Sequence, residues 1–66
     1  MEVGDLVKIV AKDLRTPVGS LALVTRIDVK EDSRGKYGKC WARMVNSGHL
    51  FWFHPEYLEV ISRASR

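Results

Sequence analysis

Apolar and polar side chains alternate over several short stretches of the chain, a period of two residues that is typical of β-strands. No stretch keeps the period of 3.6 residues that an amphipathic helix would show. The pattern therefore predicts five strands, and their ranges are Leu6–Val10, Ser20–Val29, Cys40–Val45, His49–His54 and Leu58–Ile61.

The second predicted strand carries a conflict of phase. Leu21, Leu23 and Ile27 share one face of a regular strand, whereas Val24 lies on the other. A bend or a β-bulge would reconcile them by changing the buried face along the strand. The sequence leaves open which phase faces the core.

The connecting segments carry loop and turn signals. Residues 30–39 (KEDSRGKYGK) combine two glycines with six charges, which predicts a solvated loop. Asn46-Ser47-Gly48 predicts a tight hairpin turn. Pro55 predicts a short helical turn over residues 55–57, because proline is preorganised for the first helical position.

Five short strands in 66 residues predict an all-β fold, a small five-stranded barrel that is closed or nearly closed. Closure would remove the exposed strand edges that a small β protein must otherwise protect. We expect residues 1–61 to form a single domain and residues 62–66 to form a frayed basic tail.

Composition narrows the class of protein further. No apolar run approaches the ~20 residues of a membrane span, and the start MEVGDLVKIV carries acids where a signal peptide carries bases. We therefore expect a soluble, cytoplasmic protein. The single cysteine, Cys40, excludes a disulfide within the chain and is expected to be a buried, inert thiol.

The stretch LFWF, residues 50–53, has no polar face. A barrel of this size has room for two or three large rings, each of which buries ~150–250 Å². The residues predicted to face inward are Val7, Ile9, Leu23, Ile27, Ala42, Met44, Leu50, Trp52 and Val60. Trp41, Phe51 and Phe53 are then left at the outer surface, where contiguous aromatic side chains usually mark an interface.

Catalytic and metal-binding patterns are not found in the sequence. His49 and His54 are five residues apart, which places them on opposite faces of a regular strand. Together with Cys40 they supply three of the four ligands that a structural zinc ion requires. No glycine-rich phosphate loop precedes a helix. We expect no enzymatic activity, no metal, no cofactor and no small-molecule substrate.

The formal charge of +3 permits nucleic acid as a partner without requiring it. Basic side chains beside aromatic rings are the usual device for binding single strands. The candidate residues for such a site are Lys36, Tyr37, Lys39, Trp41 and Arg43. Acidic residues between positions 28 and 32 dilute this charge, so a solvated face of mixed sign is the simpler interpretation.

The order of these segments resembles that of small SH3-like barrels, on the stretches VGDLVKI, GSLALVTRI, CWARMVNSG, LFWF and YLEVI. The layout is similar to the KOW and Tudor branches of that fold, and most similar to short uncharacterised barrel proteins of tailed bacteriophages. The resemblance covers about residues 3–61. It implies a five-stranded SH3-like barrel with a binding role, in the host cytoplasm or in a virion.

The segment HPEYLEV is also similar to the end of SH3 peptide-binding domains, with Pro55, Tyr57 and Trp41 at matching positions. The tyrosine-rich motif of that family is absent near the first strand, and residues 11–19 contain a single acid, Asp13. The resemblance therefore does not extend to a polyproline groove.

We expect a non-enzymatic binding module that docks a protein partner, which would be a host protein, a virion protein or a second copy. The predicted contact residues are Trp41, Arg43, Phe51, Phe53 and Tyr57, with Arg43 orienting the contact through a carboxylate or phosphate. The alternative is a nucleic-acid-binding module of KOW or Tudor type acting in transcription, translation or replication.

Overall fold

The computed structural model of this chain describes residues 1–12 and 15–64, except for the side chains of residues 36 and 37. It is all-β, as predicted. The strands are β1 (Leu6–Ile9), β2 (Leu21–Asp32), β3 (Gly35–Met44), β4 (Leu50–Phe53) and β5 (Leu58–Ser62), and a 3₁₀ turn (Pro55–Tyr57) precedes β5. Within the described ranges no helix is long and apolar enough to cross a membrane.

The five strands form one antiparallel sheet in the order β4-β3-β2-β1-β5. β4 and β5 are its two edges and do not pair with each other, so the sheet is not closed into a barrel. The last strand, β5, includes Ser62, one residue beyond the predicted domain boundary. Ser65 and Arg66, the end of the predicted tail, lie outside the described residues.

The core lies on the inner face of this curved sheet. Its buried apolar side chains are Val7, Ile9, Ala22, Val24, Cys40, Ala42, Met44, Phe53 and Leu58. The predicted inward positions of Val7, Ile9, Ala42 and Met44 are confirmed. Ile27 and Val60 are partly buried and pack against the same cluster.

A β-bulge resolves the phase conflict of β2. Val24 pairs with Ala42 and Arg26 pairs with Trp41, which leaves Thr25 as the extra residue. Before the bulge Val24 faces the core and Leu23 faces outward, where it is 46% exposed. After the bulge the phase changes and Ile27 turns inward. The prediction that Leu23 belongs to the core is therefore wrong.

The inner face of β4 is also opposite to the prediction. Cys40 pairs with Phe53 and Ala42 pairs with Phe51, so both phenyl rings share the inner face with these two small residues. Phe53 is 1% exposed and Leu50 is 46% exposed. The predicted inward positions of Leu50 and Trp52 and the predicted outward positions of Phe51 and Phe53 are wrong, because small side chains on β3 leave room for phenyl rings opposite them.

Residues 30–39 form two paired strands, so the prediction of a loop is wrong. Asp32 pairs with Gly35 around a two-residue turn, and the Asp32 carboxylate accepts the Arg34 N–H at 2.7 Å. Gly38 has a φ of +134°, and a Cβ there would overlap the Asp28 carbonyl oxygen. Glycine thus permits a close approach of the two strands. We call residues 26–39 the β2–β3 arm.

Asp5, which is 3% exposed, connects the first turn to the segment after β5. Its carboxylate accepts the Glu2 N–H at 2.8 Å and the Ala64 N–H at 2.7 Å. This buried carboxylate fixes the first turn against the segment that follows β5, because each oxygen has a backbone donor.

Candidate functional site

The two tryptophans lie side by side on the outer face of the sheet. Trp41 of β3 pairs with Trp52 of β4, and both side chains are half-buried. Residues that pair directly across neighbouring strands project from the same face. Cys40 and Phe53, the neighbours of Trp41 and Trp52 along the two strands, face the core. The tryptophans therefore project from the opposite, outer face of the sheet.

Aliphatic side chains extend this surface next to the tryptophans. In one cross-strand row Leu50 pairs with Arg43, and Arg43 pairs with Leu23. In the next row Val45 donates its N–H to the Leu21 carbonyl at 3.0 Å. We define the outer apolar face by its members, which are Leu21, Leu23, Trp41, Val45, Leu50 and Trp52.

The aliphatic members of the outer apolar face are strongly exposed. Leu23 and Leu50 are each 46% exposed, and Val45 is 54% exposed. Single exposed aliphatic residues are normal on a protein surface, but a group of them on neighbouring strands beside two tryptophans usually marks an interface. The outer apolar face is therefore the candidate functional site.

Basic side chains border the tryptophans. The Lys39 ammonium lies 4.8 Å from the centre of the Trp52 ring, a distance suited to a cation–π contact. Arg26 pairs with Trp41 across β2 and β3. Arg43 donates to the Gly48 carbonyl at 2.9 Å, which holds its guanidinium near the turn after β3. The border of the face is therefore mainly cationic and favours acidic groups on a partner.

A row of rings continues from Trp52 toward the 3₁₀ turn. The His54 ring lies 5.3 Å from Trp52 and 5.5 Å from Tyr57, in edge-to-face arrangements. Tyr57 is half-buried and packs partly against the core. It stands at the end of this row, away from the aliphatic members of the outer apolar face.

Arg15 lies at the free edge of β4, and its guanidinium carbon is 5.8 Å from the centre of the Trp52 ring. Its guanidinium carbon lies 5.1 Å from the Phe51 ring centre and 5.0 Å from the Phe53 ring centre. The same guanidinium donates to the Trp52 carbonyl at 2.7 Å. Arg15 thus shields both phenyl rings and occupies one acceptor on the free edge of β4.

Of the predicted docking residues, Trp41 belongs to the outer apolar face, Arg43 lies between its members Leu23 and Leu50, and Tyr57 lies at the end of the row of rings. Phe51 and Phe53 face inward. The sequence did not single out Trp52 or the leucines, because their exposure depends on the register between strands.

The predicted nucleic-acid residues are partly brought together. Lys39, Trp41 and Arg43 alternate along β3 and so share its outer face. The side chains of Lys36 and Tyr37, the other two candidates, lie outside the described residues.

The remaining reactive groups are dispersed or buried. Cys40 is 1% exposed, and burial raises the pKa of its thiol above the ordinary value of 9.0. In residues 1–12 and 15–64 no three histidine, cysteine or acidic side chains are grouped as metal ligands.

The chain was compared with protein-family models, with curated proteins and with solved structures, and it matches none of them. Function is therefore inferred from the outer apolar face itself.

Proposed function

We propose that this chain is a non-enzymatic binding module that docks a protein partner through the outer apolar face. The observation that carries this proposal is the exposure of four aliphatic side chains beside two tryptophans on the side of the sheet away from the core. An isolated domain gains nothing from leaving these groups in water, whereas burial of apolar area contributes about 25 cal/mol per Å².

The tryptophans are the anchors of this contact. Each large ring buries ~150–250 Å² when it is covered, and tryptophan and arginine are enriched among the residues that dominate interface energy. Trp41 and Trp52 supply the rings, and Arg43 lies in the adjacent row. Arg43 and Lys39 would meet carboxylates at the edge of the partner and so fix its orientation.

The fold that we propose for this module is a variant of the SH3-like layout. Three features support it: β5 lies beside β1, a bulge reshapes β2, and a 3₁₀ turn precedes β5. Taken with the resemblance to small phage proteins, this layout suggests an accessory protein that docks a host or virion protein. The fold alone does not select a function, so the outer apolar face remains the main support.

Nucleic-acid binding is the second candidate, and a specific observation favours it. Lys39 lies over Trp52, and Arg26 is paired with Trp41, so each ring has a basic neighbour. Bases stack on such rings while basic side chains contact the phosphates. The exposed leucines count against this alternative, because single strands gain little from aliphatic surface.

A capture experiment with matched variants tests the docking proposal. We expect Trp41→Ala to lose a protein that the wild type captures from the source cell's lysate. Val18→Ala is the control, because Val18 is 59% exposed but lies in the loop before β2. It should capture the same protein as the wild type. Equal capture by all three forms would contradict the proposal.

A further inference from the structure

The β2 edge of the β2–β3 arm is open. β1 pairs with β2 over Leu21–Leu23, and Val24 exchanges backbone hydrogen bonds with Gly4 and Asp5. Within residues 1–12 and 15–64, positions 26–32 of β2 then pair with β3 alone. An open strand edge presents unpaired N–H and C=O groups that another strand can complete.

The side chains along this edge alternate in charge. Arg26, Asp28, Lys30 and Asp32 are exposed and share the outer face, giving the order plus, minus, plus, minus. Between them on the inner face lie Ile27 and Val29, which are half-buried, and Glu31, which is exposed. When two copies of this strand run antiparallel and are centred on Val29, each positive side chain of one copy lies opposite a negative side chain of the other.

We propose that this edge binds the same edge of a second copy of the chain, antiparallel and centred on Val29. In that register Arg26 of each copy lies opposite Asp32 of the other, and Asp28 lies opposite Lys30. Four cross-strand pairs of opposite charge result from one two-fold axis. On the inner face the two Val29 side chains meet at the axis, and Ile27 of each copy lies opposite Glu31 of the other.

The charges also select this register against its neighbours. Side chains alternate between the two faces of a strand, so a shifted register keeps the outer faces of both copies on one side only when the partner strand moves by an even number of residues. The smallest such shift is two residues in either direction. One shift places Asp28 opposite its own copy and Arg26 opposite Lys30. The other places Lys30 opposite its own copy and Asp28 opposite Asp32. Both create like-charge pairs, which oppose association.

The other open edges do not have this property. Arg15 already occupies an acceptor on the β4 edge. The β3 side of the arm, residues 35–39, carries two lysines and no acid. On β5 the one acid, Glu59, lies 3.9 Å from Lys8 of the same chain. Among these edges, the β2 edge therefore has the charge pattern best suited to pairing with the same edge of a second copy.

Such a dimer continues the sheet from one copy into the other. The two-fold axis is perpendicular to the plane of the sheet. The outer apolar faces of the two copies therefore lie on the same side of the continuous sheet. A partner with two docking sites would then bind with higher avidity than a partner with one. The inference does not depend on the docking function, since Asp28 and Lys30 lie outside the outer apolar face.

Sedimentation of charge variants at low ionic strength tests the inference. We expect wild type to show a concentration-dependent species of twice the 7.5 kDa monomer mass. Asp28→Lys and Lys30→Asp should each raise the dimer dissociation constant at least ~10-fold, because each creates two like-charge pairs across the axis. An equimolar mixture of the two variants should restore the dimer, as should the double substitution.

The rescue also controls for folding of the arm. The double substitution keeps the new lysine opposite Lys39, so a restored dimer shows that the arm is still formed. Wild type that stays monomeric at every concentration would overturn the inference. A dimer that both single variants retain, or that neither the mixture nor the double substitution restores, would also overturn it.

Discussion

At the level of single residues, size decides which aromatic side chains enter the core. Phe53 and Phe51 lie opposite Cys40 and Ala42, which are small enough to leave space for a phenyl ring. The two indole rings pair with each other on the outer face, where their N–H groups can reach water. The same stretch of four apolar residues therefore supplies part of the core and part of a docking surface.

Cys40 gives the folded state a specific response to pH. Burial raises its pKa above 9.0, so the folded protein holds the thiol proton more tightly than the unfolded chain does. The stabilisation that this provides is complete below the unfolded pKa and is lost as pH rises toward the folded pKa. We expect the free energy of unfolding to fall above about pH 9, by up to ~1.4 kcal/mol per pH unit from this group.

Urea denaturation between pH 7 and pH 10.5 measures this response. Cys40→Ala is the control, because it removes the thiol and leaves the other titrating groups in place. The wild type should lose stability more steeply than the variant in the alkaline range. Parallel curves for the two proteins would show that the thiol does not contribute.

At the level of the elements, the alternating pattern was sufficient to predict five strands, while Asn46-Ser47-Gly48 and Pro55 predicted the hairpin turn and the helical turn. The phase of β4 could not be predicted in the same way, because both of its faces are apolar. Its orientation is set by the register with β3, which brings Ala42 opposite Phe51. The alternation of side chains shows which residues of a strand share a face. It does not show which residues of the neighbouring strand they pair with.

The β2–β3 arm was missed for a different reason. Its glycines and charges are typical of a loop, yet Asp28 pairs with Lys39 across the strands and Gly38 lets the backbones approach. Pairs of opposite charge stabilise neighbouring strands. The alternation of charge from Arg26 to Lys30, with apolar Ile27 and Val29 between, was the signal that could have indicated a strand.

The phase of β4 can be tested by comparing two substitutions. Phe53→Ala should cost ~3–5 kcal/mol, which approaches the whole stability of a domain this small, because Phe53 is fully buried. Trp52→Ala should cost ~1–2 kcal/mol, because its ring is partly in water. Circular dichroism during urea denaturation measures both. A larger loss for Trp52→Ala would reverse the assigned phase.

At the level of the whole molecule, the chain exposes more surface than a compact monomer of its mass. Its accessible surface is 4813 Å², whereas a compact protein of this mass is expected to expose about 4,200 Å². The extents of 37 × 33 × 17 Å describe a flat shape, consistent with one curved sheet and a projecting arm. Both proposed contacts, the outer apolar face and the β2 edge, would cover part of this excess.

The two tryptophans of the sequence both lie on the outer apolar face, so their fluorescence reports directly on it. The most direct measurement is quenching of this fluorescence by acrylamide, at two salt concentrations. The protein is measured free, with the captured partner, and with single-stranded nucleic acid. A partner without tryptophan, or one in which tryptophan has been replaced, keeps the signal specific.

We predict that the protein partner shields Trp41 and Trp52 from acrylamide, that this shielding changes little with salt, and that nucleic acid leaves the emission unaltered. Apolar contacts depend weakly on salt, whereas phosphate contacts are lost steeply as salt rises. Tryptophans that stay equally accessible in the partner complex, or salt-sensitive quenching by nucleic acid, would contradict the proposed docking function.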